Sequence, residues 1–290
     1  GTAIVATVSG TSISFGTKAI FNSAGTPWIS AVYDSTNNKI VIAYQDYDGI
    51  SDYGTAIVGT VSGTSISFGT AATYESDASY ISAISDSTNN KIVISYRANA
   101  SSNYGKSAVG TVSGTSISFG TPVVFNSAST YYTSAVYDPT NNKVVIAYRN
   151  IGNSNYGTSV VGTVSGTSIS FGAAAVFESA TSNYISATYD STNNKVVIAY
   201  QDSGNSGYGT GIVFTVGSSN NTDFIGITAE AISSAATGAV NVYGGINAVQ
   251  TGLTIASDYY VQTDGTLNTA TSVVNYDITN ASFTQAFSVS

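Results

Sequence analysis

The sequence contains no cysteine, no histidine and no methionine, with three prolines and one tryptophan. Without cysteine there is no disulfide framework, so nothing in the chain reads out a redox compartment. Without histidine or cysteine, a Ser-His-Asp triad, a Cys-His pair and a His-ligated zinc site are all excluded. Charge is also scarce: 8% of residues, divided as 8 Lys and Arg against 16 Asp and Glu for a net charge of −8, and Gly209–Ser290 carries no Lys or Arg. Nucleic acid is therefore not an expected partner, because binding it needs cations that displace counterions from phosphate. No uninterrupted apolar run reaches the roughly 18 residues of a membrane-spanning helix, so no membrane insertion is expected, and no signal-peptide pattern opens the chain. Residue 1 is Gly. It is expected not to be the translation start, which leaves room for further repeats upstream.

What the chain does contain is repetition. Thr-Val-Ser-Gly-Thr-Ser-Ile-Ser-Phe-Gly occurs letter for letter at Thr7–Gly16, Thr60–Gly69, Thr111–Gly120 and Thr163–Gly172, and a worn copy starts at Thr215. Apolar content of 42% supplies a core, and 21 tyrosines with abundant Ser, Thr, Asn and Gly favour strands and turns. In the second copy, Gly54–Ser62 and Ser65–Tyr74 read as a hairpin across Gly63-Thr64. Tyr80–Ser85 and Lys91–Tyr96 read as another, across Asp86–Asn90. Four strands in about 50 residues is the blade period of a β-propeller. The expected fold is therefore all-β, four-stranded antiparallel repeats forming a β-propeller, with a β-solenoid or elongated fibre as the alternative. Residues 1–216 are read as four tandem repeats (1–53, 54–104, 105–156 and 157–208) plus an extra strand, 209–216. Residues 222–290 are read as a small β-rich C-terminal domain, with Ala229–Ala236 its one short helix. The surplus strand either closes a ring, marks a cut in a longer array, or lets partial units complete one another between chains.

Comparing the repeats with each other separates constant from variable parts. The turns after the first and third strands barely change, whereas those after the second and fourth drift. Both drifting turns fall on one face of an antiparallel meander. Either that face is a recognition surface on a rigid scaffold, or it merely carries the longer, less constrained loops. Aromatic rings gather there beside Arg, Asn and Asp: Trp28, Tyr80, Tyr132 and Tyr184 at one junction, Tyr53, Tyr104, Tyr156 and Tyr208 at the other, with Arg97 and Arg149 nearby. A sugar offers apolar C–H faces and directional hydroxyls, so these ten residues are the candidate carbohydrate site. Packing between repeats is the competing explanation for each ring. Glycosidase chemistry would need two facing carboxylates. Asp46, Asp48, Asp52, Glu75, Asp77, Glu178 and Asp202 are available, but none recurs as a pair, so no enzyme, cofactor or metal is expected. Asp-(Ser/Pro)-Thr-Asn-Asn-Lys, at Asp34–Lys39, Asp86–Lys91, Asp138–Lys143 and Asp190–Lys195, reads as a hairpin turn. Its single carboxylate and neighbouring Lys argue against calcium.

The repeats, with their (Ile/Val)-Ser-Ala, Thr-Asn-Asn-Lys, Val-Ile-Ala-Tyr and Thr-Val-Ser-Gly-Thr-Ser-Ile-Ser-Phe-Gly-Thr-Pro-Val-Val-Phe wording, resemble repetitive tail-fibre-like virion proteins of marine bacteriophages of the cyanophage type. Gly245–Leu267, with Gln250-Thr-Gly-Leu253 and Tyr259–Leu267, is similar to a short module that closes many such proteins; Ser272–Ser290 departs from it. The resemblance implies a virion-surface or extracellular location and a fibre or adhesion role. Together these readings point to a non-catalytic display protein that binds host-surface glycan and is homo-oligomeric. The alternative is a structural virion or surface-filament subunit that binds other copies of itself.

Overall fold

The computed structural model describes residues 1–50 and 52–216. Beyond them it describes only the strands Ile227–Thr228, Val240–Asn241, Asp258–Val261, Leu267–Asn268 and Ala286–Ser288. The chain divides into two compact units, Gly1–Gly217 and Ser218–Ser290. In the second, the first two strands pair antiparallel, and the third pairs with both the fourth and the fifth. The short helix expected at Ala229–Ala236 lies outside the described residues, as does most of the module-like stretch.

The first unit is all-β and antiparallel, as its composition and alternation imply. It opens with β1 (Thr2–Ala3), β2 (Ala6–Ser9), β3 (Ser12–Phe15) and β4 (Ala19–Ile20), in which β1 pairs β4 and β2 pairs β3. The next sheet contains β5 (Ser30–Asp34), β6 (Lys39–Tyr47), β7 (Asp52–Ser62), β8 (Ser65–Phe68) and β9 (Ala72–Glu75). Its order is β5-β6-β7-β8, with β9 also on β7. Then come β10 (Ala78–Asp86), β11 (Lys91–Ala98), β12 (Tyr104–Ser113) and β13 (Ser116–Phe119), followed by β14 (Val123–Asp138), β15 (Lys143–Asn150), β16 (Tyr156–Ser165) and β17 (Ser168–Phe171). The series ends with β18 (Ala175–Asp190), β19 (Lys195–Asp202) and β20 (Tyr208–Phe214).

The sheets are out of phase with the sequence repeat. Each takes its first two strands from one repeat and the next two from the following repeat, because the long pairing runs between repeats: β11 and β12 pair from Ile92↔Gly110 to Ala98↔Tyr104. The strand beyond the fourth repeat is β20, which pairs β19 as the third strand of the last sheet. The 16-residue β14 pairs β12 with its first half and β15 with its second, and β18 does likewise, which fuses the later sheets into one of 11 strands. The two ends of the unit do not pair with each other, so no sheet closes, and the described strands do not establish the propeller ring expected from the period.

Sheets stack on one another through both faces. This explains why Ile92, Val93 and Ile94, neighbours on β11, are all 0% exposed, where alternate burial would be the rule for a one-faced sheet. Ile92, Ile94 and Tyr96 face back onto Val41, Ala43 and Val58 of the preceding sheet. Val93 and Val109 face forward onto Val144 and Ile146 of the next. A serine rail adds polar ties: Ser30, Ser82 and Ser134 Oγ accept from the Ala83, Ala135 and Ala187 amides at 3.0, 3.0 and 2.9 Å. The decapeptide's final glycine lets neighbouring hairpins touch, since a Cβ at Gly16, Gly69 or Gly120 would lie 1.8–1.9 Å from the carbonyl oxygen of Thr64, Thr115 or Thr167.

The Asp-to-Lys element is a hairpin turn, as read from its sequence. Asp34 Oδ1 accepts from the Thr36 and Asn37 amides, both at 3.1 Å, and Asn38 adopts left-handed backbone at φ 53°. Lys39, Lys91 and Lys143 reach across to Thr60, Thr111 and Thr163 hydroxyls at 3.0, 3.0 and 2.8 Å, so the lysines brace the adjoining hairpin.

Candidate functional site

The variable turns gather at the sheet end opposite these hairpin turns, and there a β-bulge recurs. Ser79 pairs Arg97 and Ser82 pairs Ser95, so Tyr80 and Ile81 together face the single residue Tyr96. The same slip places Tyr132 and Tyr184 as the first bulge residues of β14 and β18. Each has left-handed backbone: φ is 50° at Tyr80, 52° at Tyr132 and 52° at Tyr184, and Trp28, ahead of β5, matches them at 55°. Glycine is the usual occupant of such a position, because a Cβ there meets the following carbonyl, and a large aromatic residue is a true outlier. The conformation costs on the order of 1–3 kcal/mol per residue, yet the chain adopts it at every copy.

The bulges set the four rings in one row. Centroids are 4.2 Å apart for Trp28–Tyr80, 5.5 Å for Tyr80–Tyr132 and 5.2 Å for Tyr132–Tyr184. Tyr131 joins the row 5.1 Å from Tyr80. The Arg97 guanidinium lies 4.9 Å from the Tyr80 centroid and 4.5 Å from that of Tyr131, and Arg149 lies 4.8 Å from Tyr131 and 4.9 Å from Tyr132. Arg97 is further fixed by Nε donating to Ser79 Oγ at 3.0 Å and Asn99 Oδ1 at 2.7 Å, whereas Arg149 donates through Nη1 to Asn183 Oδ1. Arg149 Nε is buried with no partner among the described residues. The inner rings and both cations thus hold neighbouring sheets together, while the row's two ends are open: Trp28 is 43% and Tyr184 70% exposed. Burial raises the Tyr80 phenol above its ordinary value, and the cation of Arg97 opposes that rise.

Six of the ten residues singled out from sequence therefore meet in one structure: Trp28, Tyr80, Tyr132, Tyr184, Arg97 and Arg149. Tyr53, Tyr104, Tyr156 and Tyr208 form a separate series at the base of the variable loops, paired with Asp46, Ala98, Asn150 and Asp202. Tyr53 lines a cleft of about 490 Å³ with Thr73, Glu75, Ser76, Lys106 and Thr121 among its walls. Glu75 and Lys106 pair across it at 3.0 Å, and the Tyr96 hydroxyl donates to Glu75 at 3.1 Å. Burial alone would raise the Glu75 carboxyl, but hydrogen bonds from Lys106 and Ser76 and the Lys106 charge hold it below its ordinary value. Lys106 was not legible as a site residue from its own surroundings. The available signal was internal, since Thr2, Thr55, Thr158 and Thr210 occupy the same position in the other copies.

Four of the other acidic side chains are engaged in holding their surroundings, while burial and the neighbouring carboxylates Asp77 and Asp48 raise the Asp52 carboxyl above its ordinary value. Asp46 accepts from Asn22 at 2.6 Å, Asp77 from Asn99 at 2.6 Å, Asp202 from the Gly204 amide at 2.8 Å and Glu178 from the Tyr200 hydroxyl at 3.0 Å. Among the described residues no cluster of three acidic side chains is placed to hold a metal ion.

Fold and row together define a tandem β-repeat protein that carries an arginine-interleaved aromatic row at its loop-bearing end. No protein-family model matches the chain, and no curated protein matches it. Among solved structures it is similar to the SapL1 lectin, determined in complex with alpha methyl fucoside, at 19% identity and a TM-score of 0.40. The match covers 62% of this chain and 57% of that one, so the chain spans little more than half the length of the lectin chain it matches. A likeness this remote defines neither the fold nor the ligand of this chain.

Proposed function

We propose that the chain is a non-catalytic display protein that binds carbohydrate at its loop-bearing end. The observation that carries this reading is the strained bulge: a large aromatic ring at positive φ in four copies out of four, where glycine would sit without strain. The open rings of Trp28 and Tyr184 suit the apolar face of a sugar, and the Asn, Ser and Thr side chains of the adjacent loops supply directional partners for its hydroxyls. The Tyr53 cleft offers the same combination, with the Glu75 carboxylate as acceptor and the Lys106 ammonium as donor. Engagement of Asp46, Asp77, Asp202 and Glu178 in hydrogen bonds within the fold supports a binding rather than a hydrolytic role. The sequence resemblance supports a setting at a virion surface or outside the cell, in a fibre or adhesion component that meets a host-surface glycan.

The test is a glycan array and host-like cells probed with the wild-type chain and two variants, Trp28→Ala/Tyr184→Ala and Tyr53→Ala/Tyr104→Ala/Tyr156→Ala/Tyr208→Ala. Saturable binding that falls at least tenfold in a folded variant supports the reading and says which aromatic series is used. A wild-type chain that is folded and binds no glycan overturns it.

A further inference from the structure

The cleft beside Tyr53 is walled by side chains that the other copies do not carry. Thr73 stands where they have Ile20, Val124 and Val176, Tyr74 where they have Phe21, Phe125 and Phe177, and Lys106 where they have threonine. The scaffold asks for none of these three. Gly54↔Glu75, Gly105↔Asn126 and Gly157↔Glu178 keep one strand register whichever side chains surround them. Two of the three are also unfavourable for folding. The Tyr74 hydroxyl is buried with no partner among the described residues, a desolvation that phenylalanine avoids. Lys106 and Glu75 form an ion pair with side chains only 17% and 10% exposed, and taking two charges that far out of water adds little stability. Polar groups that break the local rule of the repeat, brought from separate parts of the chain onto the walls of one cleft, mark a ligand site.

The chemistry of the walls narrows the ligand. Glu75 Oε2 accepts from the Tyr96 hydroxyl at 3.1 Å and from Lys106 at 3.0 Å, which fixes the carboxylate and cancels the charge of the ammonium. Lys106 Nζ also donates to Ser101 Oγ at 2.8 Å, so one of its three N–H groups is left for a ligand. The pair sums to zero charge, and the chain's net charge of −8 adds a barrier to acidic ligands. Tyr53 is 42% exposed and offers a ring face to an apolar surface. The volume of about 490 Å³ falls within the roughly 300–1,000 Å³ of small-ligand sites. A ligand with one apolar face, several hydroxyls and no charge uses all of these features. We propose that the cleft is a site for one uncharged pyranoside, present once per chain and built without the aromatic row. This inference rests on the carbohydrate reading and adds the place, the number and the charge class of the sugar.

Equilibrium dialysis of the full chain against radiolabelled methyl pyranosides of glucose, galactose, mannose, fucose and N-acetylglucosamine tests it, with methyl glucuronide and a methyl sialoside as the charged arm. At least one neutral pyranoside should bind, and each acidic sugar at least tenfold more weakly. Thr73→Val/Tyr74→Phe/Glu75→Asn/Lys106→Thr gives the cleft the side chains of the third copy, Val124, Phe125, Asn126 and Thr158, so its circular dichroism should match wild type. Its affinity for that pyranoside should fall at least tenfold. A second readout needs no variant: saturating pyranoside should slow acetylation of Lys106, followed by mass spectrometry, and leave that of Lys18 unchanged. Undiminished binding by the folded variant, no protection of Lys106, or a preference for the acidic sugars would each overturn the proposal. A chain that takes up no pyranoside yet still binds the glycan array overturns it alone, whereas a folded chain blank on both overturns the carbohydrate reading as well.

Discussion

Replacing Tyr184 by alanine and, separately, by glycine measures the strain in the bulge. Both changes remove a ring that is 70% exposed and stacked on Tyr132, so the cost of the lost contact cancels between them. What remains is the backbone at φ 52°. Left-handed geometry costs a residue with a Cβ about 1–2 kcal/mol, and glycine escapes that cost. Its greater freedom in the unfolded chain takes back about 0.4–1 kcal/mol. Tyr184→Gly should therefore be the more stable of the pair by about 0.5–1 kcal/mol, roughly 1–4 °C in Tm for a unit of this size. Thr188, exposed on the same strand without positive φ, is the control. There glycine should fall below alanine by about 0.5–1 kcal/mol. The assay is urea denaturation followed by far-ultraviolet circular dichroism, and its diagnostic is the inverted order at the two positions. Alanine above glycine at both would show that position 184 is unstrained, and the reasoning from bulge to function would fall with it.

Three further outcomes follow from the packing. Ile117→Ala should cost about 2–5 kcal/mol, but Ile13→Ala, the same residue of the same decapeptide, less than about 0.5 kcal/mol when melted at concentrations where the chain is monomeric. Equal losses would contradict the burial difference. Gly69→Ala places a Cβ 1.9 Å from the Thr115 carbonyl oxygen and should lower stability by about 1–3 kcal/mol, checked by the same denaturation assay; a neutral result would mean that the hairpins do not abut. The Glu75 carboxyl titrates below its ordinary value in the folded chain. Its contribution to stability is therefore complete above the unfolded-state pKa and is lost as pH falls through the folded-state pKa. Urea midpoints of wild type and Glu75→Gln should differ at neutral pH and converge on acidification. A gap that widens toward acid would refute that assignment.

The period, the all-β character and the turn chemistry were legible in the letters, but Ser65–Tyr74, read as one strand, is two, β8 and β9, and the drifting segments Asn126–Thr130 and Glu178–Asn183, read as turns, lie within the continuous strands β14 and β18. Gly63-Thr64 and Asp86–Asn90 carry turns whose residues need left-handed backbone or bond their own loop, and both are local properties. Gly63 and Asn90 do adopt positive φ. The phase of the sheets was not legible, because a repeat has no natural first strand and pairing across Tyr96↔Lys106 is a choice between neighbours made by the whole array. Nor was the bulge. Ser-Tyr-Ile-Ser reads as plain alternation, and only pairing against Arg97 and Ser95 shows the extra residue. The candidate rings were found through recurrence at loop edges, but the role of Arg97 and Arg149 in joining successive rings depends on contacts between sheets. Identical decapeptides with Val8 exposed and Val112 buried make the same point, since burial belongs to position in the stack rather than to sequence.

Trp28, the only tryptophan in the chain, stands at one end of the aromatic row, 4.2 Å from Tyr80. Excitation absorbed by the tyrosines behind it will drain toward this one indole, which emits at longer wavelength than they do. The protein therefore contains a single indole emitter, half open to solvent and fed by tyrosines acting as its antenna. Whatever settles over that end of the row, sugar or protein, will shift one emission band without any label being attached.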